Sequence, residues 1–489
     1  MLFKEFSMNY DVIVIGAGLG GLTAGAKLSK EGKKVLVIEH HDRPGGYATT
    51  FQRGDYTLEV GLHEMDGPAA GDMKTKIFKD LDVFNHVEII HVPDFYRFLN
   101  DRLEVTIPHD PDATTRILSS LFPEENAGIK AYFDQILQSA RNVMENDQTD
   151  ISVGEFLDSI IQNEDLKLIL MGNLGYFHDD PYTLSLAYYT ISQGSYYRGG
   201  ASFIKGGSQK LSDHLATFIR NHGGEVLLNH LVTGIVTKNE QASGVTYKRN
   251  NKHQSEILQA NAHIIIANNA MLNVADMLGE ETGNQFRDEI SQHKTGASLL
   301  TIYYGFKKPV KALGFTHYST SVFDGSVRSL KDVFSNNSDD YSRRNFIFAD
   351  YSQLDSGLAP EGKSVGAICC VDYLKDWTGL DRKAYLEKKA EVAAVLTGRL
   401  EKMIPGIKEN IEYVEVGTPY TCQRYTLNPE GAVYGFAQSP NKKPMDTSML
   451  PENLFFASAW GKTGGGFSGA IYGGYLCALN VMRKRSESS

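Results

Sequence analysis

The sequence predicts an α/β fold: one domain built on a largely parallel sheet, interrupted by a second, discontinuous α+β domain. Three observations predict it. A β-branched run, a glycine-rich turn, a helical stretch and a second β-branched run follow one another at the N-terminus. Two more strand-like apolar runs, at 262–268 and 453–459, lie far along the chain, and the second leads into a glycine loop and a last helix. The 489 residues, 42% hydrophobic and 22% charged, suffice for two cores of ordinary globular composition.

The first element is Tyr10-Asp11-Val12-Ile13-Val14-Ile15, a short run without polar alternation, as in a buried parallel strand. It enters Gly16-Ala17-Gly18-Leu19-Gly20-Gly21 directly. Gly16 permits the tight turn, Gly18 lets backbone approach a pyrophosphate, and Gly21 lets the helix pack close to the strand. The following helix carries Leu22, Ala26 and Leu28 and ends near Glu31-Gly32. Its N-terminus, including Leu19 and Gly20, offers free N–H groups and a positive dipole end to phosphates. Val35-Leu36-Val37-Ile38 is the second strand, and Glu39 closes it 18 residues after Gly21. An acid there accepts from ribose hydroxyls and disfavours a 2′-phosphate. The ordered set predicts a Rossmann-type dinucleotide-binding unit. A lone Gly-x-Gly-x-x-Gly would be weak support.

Later elements complete the domain. Gly206-Gly207-Ser208 precedes a helix with Leu211, Leu215, Phe218 and Ile219 on one face, with Ser208 as its N-cap and His222-Gly223-Gly224 as its stop. Short strands follow at 225–228, 232–236 and 245–247, then the apolar strand 262–268. The strand at 453–459 leads to Gly464-Gly465-Gly466-Phe467-Ser468-Gly469-Ala470 and a helix reaching Lys484. The expected division is 8–75, 200–270 and 412–489 for the cofactor domain, with 76–199 and 271–411 as substrate domain.

Several classes are disfavoured. A net charge of −10 is wrong for broad nucleic-acid binding. No metal site is expected, since Cys369, Cys370, Cys422 and Cys477 form no Cys-x-x-Cys pair and no zinc spacing. Adjacent Cys369 and Cys370 read as buried thiols. There is no Gly-x-Ser-x-Gly nucleophile elbow. Residues 1–10 are too short and polar for a signal peptide, and no run approaches the roughly 20 apolar residues of a spanning helix. A cytoplasmic protein is expected, with at most peripheral membrane contact. Arg483-Lys484-Arg485 reads as a solvated helix end before it reads as a headgroup contact.

The motif Glu39-His40-His41-Asp42-Arg43-Pro44-Gly45-Gly46 resembles the extended fingerprint of the FAD-dependent amine oxidase and phytoene desaturase superfamily. Tyr197-Arg198-Gly199-Gly200, Lys205-Gly206-Gly207, Thr418-Pro419-Tyr420-Thr421 and Gly431-Ala432-Val433-Tyr434-Gly435 resemble its carotenoid desaturase, carotenoid isomerase and retinol saturase group. The resemblance spans nearly the whole chain. It implies FAD as cofactor, in a glutathione reductase-like domain. FAD contacts would come from Gly16, Gly18, Leu19, Gly20, Gly21, Glu39, His40, Arg43, Gly45, Gly46, Gly61, Val232, Gly465, Gly466, Phe467, Gly469 and Ala470. Many members carry Gly-Asp in the C-terminal strand, where this chain has Ser458-Ala459.

The resemblance also implies redox chemistry at carbon–carbon double bonds of a lipophilic small molecule, a polyene or unsaturated lipid. Saturation, desaturation and isomerisation all stay open, as do two alternatives: a flavin amine oxidase, or a prenyl- or lipid-tail binding protein of the same fold. The saturase branch has Gly-x-His where this chain has Gly61-Leu62-His63, so His63 is the leading acid/base candidate, its near-neutral titration suiting proton delivery. Glu64 reads as a solvated or capping carboxylate. Tyr176, Phe177, Tyr188, Tyr189, Tyr196, Tyr197 and Phe203 crowd one passage. An elongated apolar substrate needs such a lining, although core packing explains most single rings. Tyr434 and Tyr197, flanked by glycines, are the tyrosines expected at the site. A lipophilic substrate also makes transient docking at a membrane surface reasonable.

Overall fold

The computed structural model describes residues 9–139, 142–143, 150–250 and 256–487. Asn9–Ile15 and Val35–Ile38 form adjacent parallel strands, with Val12 opposite Val35 and Ile15 opposite Ile38. All four residues of Val35–Ile38 are buried, which is why this run shows no polar alternation. Glu225–Leu227 adds in parallel beyond them. On the other side lies Leu258–Ala267, parallel to Asn9–Ile15. Its N-terminal part turns antiparallel to Gln241–Arg249, which pairs in turn with His230–Lys238. Leu454–Phe456 joins the C-terminal end of Leu258–Ala267 in parallel. Three distant stretches of chain thus build one seven-stranded sheet. The strand expected at 453–459 is shorter, Leu454–Phe456, although the Ala457 N–H still donates to the Ala267 carbonyl of its neighbour.

The helix Leu19–Lys30 is buried at every position except Lys30. Such a helix has packing on all sides and no polar stripe. It meets Gln209–Asn221 and the C-terminal helix Gly466–Glu487 in one apolar cluster. Ser208 occupies the N-cap position of Gln209–Asn221 but makes no side-chain cap. Its hydroxyl instead donates to Glu59 at 2.7 Å.

A second seven-stranded sheet runs in the order Ile411–Gly417, Ser298–Phe306, Ser364–Asp372, Phe346–Asp350, Ser319–Val322, Tyr96–Leu99, Glu104–Ile107. All its pairs are antiparallel except Ser319–Val322 with Tyr96–Leu99. Residue 412, the expected domain boundary, falls inside the first of these strands. A three-stranded ribbon of Met65–Asp66, Ala201–Ile204 and Ile89–Val92 lies beside the first sheet's helices. No helix among the described residues is long and apolar enough to cross a membrane.

Candidate active site

One cavity of about 1530 Å³ begins at the glycine turn, passes the N-terminus of the C-terminal helix, and ends among aromatic side chains. Small-molecule pockets commonly measure roughly 300–1,000 Å³, so this one has room for a dinucleotide and a second ligand.

The turn itself is set by local chemistry. Gly16 has φ +94°, a conformation that L side chains rarely adopt. A β-carbon on Gly20 would collide with the Ala457 carbonyl, so only glycine lets the helix sit against the last strand. Gly16, Gly18, Leu19 and Gly20 line the cavity. Gly21 does not; a β-carbon there would lie 2.3 Å from the Gly16 carbonyl oxygen, making it a packing residue. Asn268 closes the same turn from the neighbouring strand, its Nδ2 donating to the Gly16 carbonyl at 3.1 Å. Glu39 is buried at the strand end and accepts from the Ala17 N–H at 2.7 Å and the His41 N–H at 2.8 Å. Burial would raise its pKa, but His40 at 2.8 Å and the two N–H groups outweigh that and hold it below the ordinary value. His40, Arg43, Gly45, Gly46, Gly61 and Val232 also face the cavity. Arg43 is anchored by donating to the Thr50 carbonyl at 2.9 Å.

At the other end, Ser458, Ala459, Gly465, Gly466, Phe467, Gly469 and Ala470 line the wall. A β-carbon on Gly465 would lie 2.5 Å from the Tyr434 Cα, so these two loops touch backbone to backbone. Gly466, with φ +74°, has nothing within 4 Å of its β-carbon position. Its bare backbone opens the first turn of the last helix to the cavity.

The loop from Gly61 to Glu64 is clamped from several directions. Glu59 accepts from the Gly61 and Leu62 N–H groups at 3.1 and 3.0 Å. Tyr351 donates to the Leu62 carbonyl at 3.0 Å, and Tyr318 to the His63 carbonyl. Both His63 and Glu64 reach the cavity. The expected near-neutral titration of His63 is not found: burial pushes it down to about 4, so the ring is neutral at pH 7. Its Nδ1 lies 3.2 Å from the Tyr176 hydroxyl.

Glu64 corrects the sequence reading more strongly. It is neither solvated nor a cap: it is 9% exposed and its Oε2 has no hydrogen-bond partner among the described residues. Burial raises its pKa well above the ordinary value. Beyond it, Asp66 pairs with fully buried Lys74 at 2.6 Å, and Ser468 in the last helix joins them. No sequence motif pointed to Asp66, Lys74 or Asn268.

The model for flavin containing amine oxidoreductases matches residues 19–482. The chain belongs to the flavin containing amine oxidoreductase family. Its cofactor is FAD, and it is an oxidoreductase. The glycine cradle fits the cofactor: bare backbone at Gly18 and Gly466 lines the cavity at the two helix N-termini, and buried Glu39 stands at the ribose position of the fingerprint. Similar proteins support the group inferred from sequence. A prolycopene isomerase from Daucus carota is 27% identical over 511 residues, covering 97% of this chain and 80% of that protein. An all-trans-retinol 13,14-reductase from Danio rerio is 24% identical, covering 97% and 86%. A neurosporene-forming phytoene desaturase from Rhodobacter capsulatus is 24% identical, covering 96% and 93%.

Within the flavin site the aromatic expectations divide. Tyr176, Phe177, Tyr188, Tyr196, Tyr303 and Tyr434 line the cavity. Tyr197 does not. It is 6% exposed and packs edge-on against Phe95 and Phe133 at 5.4 and 5.3 Å between centroids, in a separate core. Its neighbour Tyr196 takes the cavity-facing place. Cys369 and Cys370 are buried thiols, as expected, and Cys369 touches the cavity wall.

Proposed function

We propose that this flavoenzyme acts on carbon–carbon double bonds of a lipophilic polyene or unsaturated lipid. The observation that carries this reading is the continuity of one cavity, from the glycine turn and helix N-terminus into a chamber walled by Tyr176, Phe177, Tyr188, Tyr196, Tyr303 and Tyr434. Such walls suit a long apolar ligand stacked edge and face against rings. The similar proteins include an isomerase, a reductase and a desaturase named for carotenoid or retinoid compounds. That pattern supports polyene chemistry over amine oxidation.

When bound, FAD supplies two-electron redox chemistry at its ring. The fingerprint residues hold its phosphates and ribose, with Glu39 and the N–H groups of Leu19 and Gly20 as contacts. Gly465, Gly466 and Phe467 place the last helix's positive end at the inner cavity, where it favours negative charge. His63, neutral and oriented by Tyr176, accepts or positions a proton rather than donating one as imidazolium. Tyr434 lines the same cavity near Tyr176. The two sheets suggest the domain division: the parallel sheet with its helices holds the cofactor, and the second sheet with the helices of 111–199 covers the substrate. Exposed Met73, Leu137 and Leu476 lie at the cavity rim. An apolar rim fits substrate drawn from a membrane surface by transient docking.

The test is product analysis. Purified protein is incubated anaerobically with prolycopene and with all-trans-retinol, with oxidised and with reduced flavin in parallel. The reading expects isomerised, saturated or desaturated product in at least one tube. Unchanged polyene in all tubes, with hydrogen peroxide released from added amines in air, contradicts it.

A further inference from the structure

Glu64 has a position that the reading above leaves unused. Its carboxyl lines the cavity, is nine-tenths buried, and keeps one oxygen wholly enclosed without a partner. A buried polar atom left unmatched destabilises the fold, so its place at the cavity wall calls for a use. No ion pair to Glu64 occurs among the described residues. Lys74 is engaged by Asp66 at 2.6 Å. His63 is neutral at pH 7. Tyr176, Tyr196 and Tyr318, the other titratable groups closest to the carboxyl, are buried phenols held un-ionised.

The backbone places this residue next to the strand that reaches the first turn of the last helix. Residues two apart on an extended strand point the same way and are about 7 Å apart. Glu64 directly precedes the strand Met65–Asp66, and Asp66 reaches Ser468 in the first turn of the last helix. Tyr176 and Tyr196, on the substrate side, complete its surroundings. Glu64 thus shares the cavity lining with Gly466 of the opened helix turn and with the aromatic chamber.

We propose that Glu64 is the catalytic acid–base residue that exchanges a proton with a carbon of the substrate double bond, an inference that rests on the polyene reading. In the protonating direction the Glu64 O–H bond breaks as a C–H bond forms, the carbon supplying the electron pair. The carboxylate left behind regains its proton from water. In a saturation the other hydrogen arrives as a hydride equivalent from a two-electron donor of the flavin class, so one proton and one hydride balance the two new C–H bonds. Burial raises the carboxyl's pKa and so favours its protonated, donating form, whereas it favours the unprotonated form of His63.

The experiment compares FAD-loaded wild type with Glu64→Gln and Glu64→Asp. In D₂O with reduced flavin and all-trans-retinol or prolycopene, the wild type should place solvent deuterium on a carbon of the reacting double bond. E64Q should slow turnover by about 100-fold or more while its flavin spectrum is unchanged, and E64D should recover part of the rate. Infrared difference spectra between oxidised and reduced holoenzyme should show a protonated-carboxyl carbonyl band that shifts in D₂O and vanishes in E64Q. A working wild type with E64Q equally active, or with the carboxyl band persisting in E64Q, overturns the role of Glu64 alone. A wild type inert toward both polyenes contradicts the proposed function, and the role of Glu64 falls with it.

Discussion

His63 and Glu64 are neighbours on one cavity wall, and burial moves both toward the neutral form, lowering the imidazole and raising the carboxyl. For His63 the consequence is measurable in stability. Its ordinary value is 6.5 and its folded value about 4, so between these the unfolded chain binds more protons. Its contribution is complete above the unfolded value and is lost as pH falls from about 6.5 toward 4, worth about 3 kcal/mol at roughly 1.4 kcal/mol per unit. His63→Gln should therefore flatten the loss of stability across that window, read from denaturant unfolding at neutral and acid pH. Equal slopes in both proteins would show that the ring is not dry. The residue type at position 63 was legible in sequence, but its protonation state was not. The side chains that dry it, such as Tyr176, lie more than a hundred residues away. Glu64 was misread for the same reason: local sequence shows a polar pair in a turn, and only tertiary packing removes the water.

At the scale of elements, three segments meet at one buried ion pair. Lys74 comes from the helix Met73–Asp80, Asp66 from the strand Met65–Asp66, and Ser468 from the C-terminal helix. Lys74 is fully buried, so removing it strands a carboxylate away from water. Lys74→Met should cost about 3–5 kcal/mol of unfolding free energy, and adding Asp66→Asn should restore part of it, as read by chemical denaturation. A Lys74→Met protein as stable as wild type would mean that water reaches Asp66. The fingerprint strands and helices were legible because each runs as an unbroken apolar or glycine-marked stretch with its stop signal beside it. The choice between Tyr196 and Tyr197 was not. Adjacent residues on the helix Leu186–Gly199 point about 100° apart, and sequence near a helix end does not say which direction faces the cavity. Ser208 shows the same limit: its position at the helix start was legible, but the competing acceptor, Glu59, is 149 residues away.

For the whole molecule, the account depends on a sheet assembled from three distant pieces of chain. The first carries the glycine turn, the second the strands around Val232 and Leu258–Ala267, and the third the strand and helix that close the inner cavity. None of the three forms the cradle alone, and bare glycine backbone lines it at the two helix N-termini. The most direct measurement is of the purified chain itself: its visible spectrum, together with mass spectrometry of the small molecule released on denaturation. The account predicts the blue absorption band of an oxidised flavin and release of FAD in one-to-one ratio with the protein. A colourless chain that takes up no FAD when it is supplied, or one that releases a different nucleotide, would contradict it.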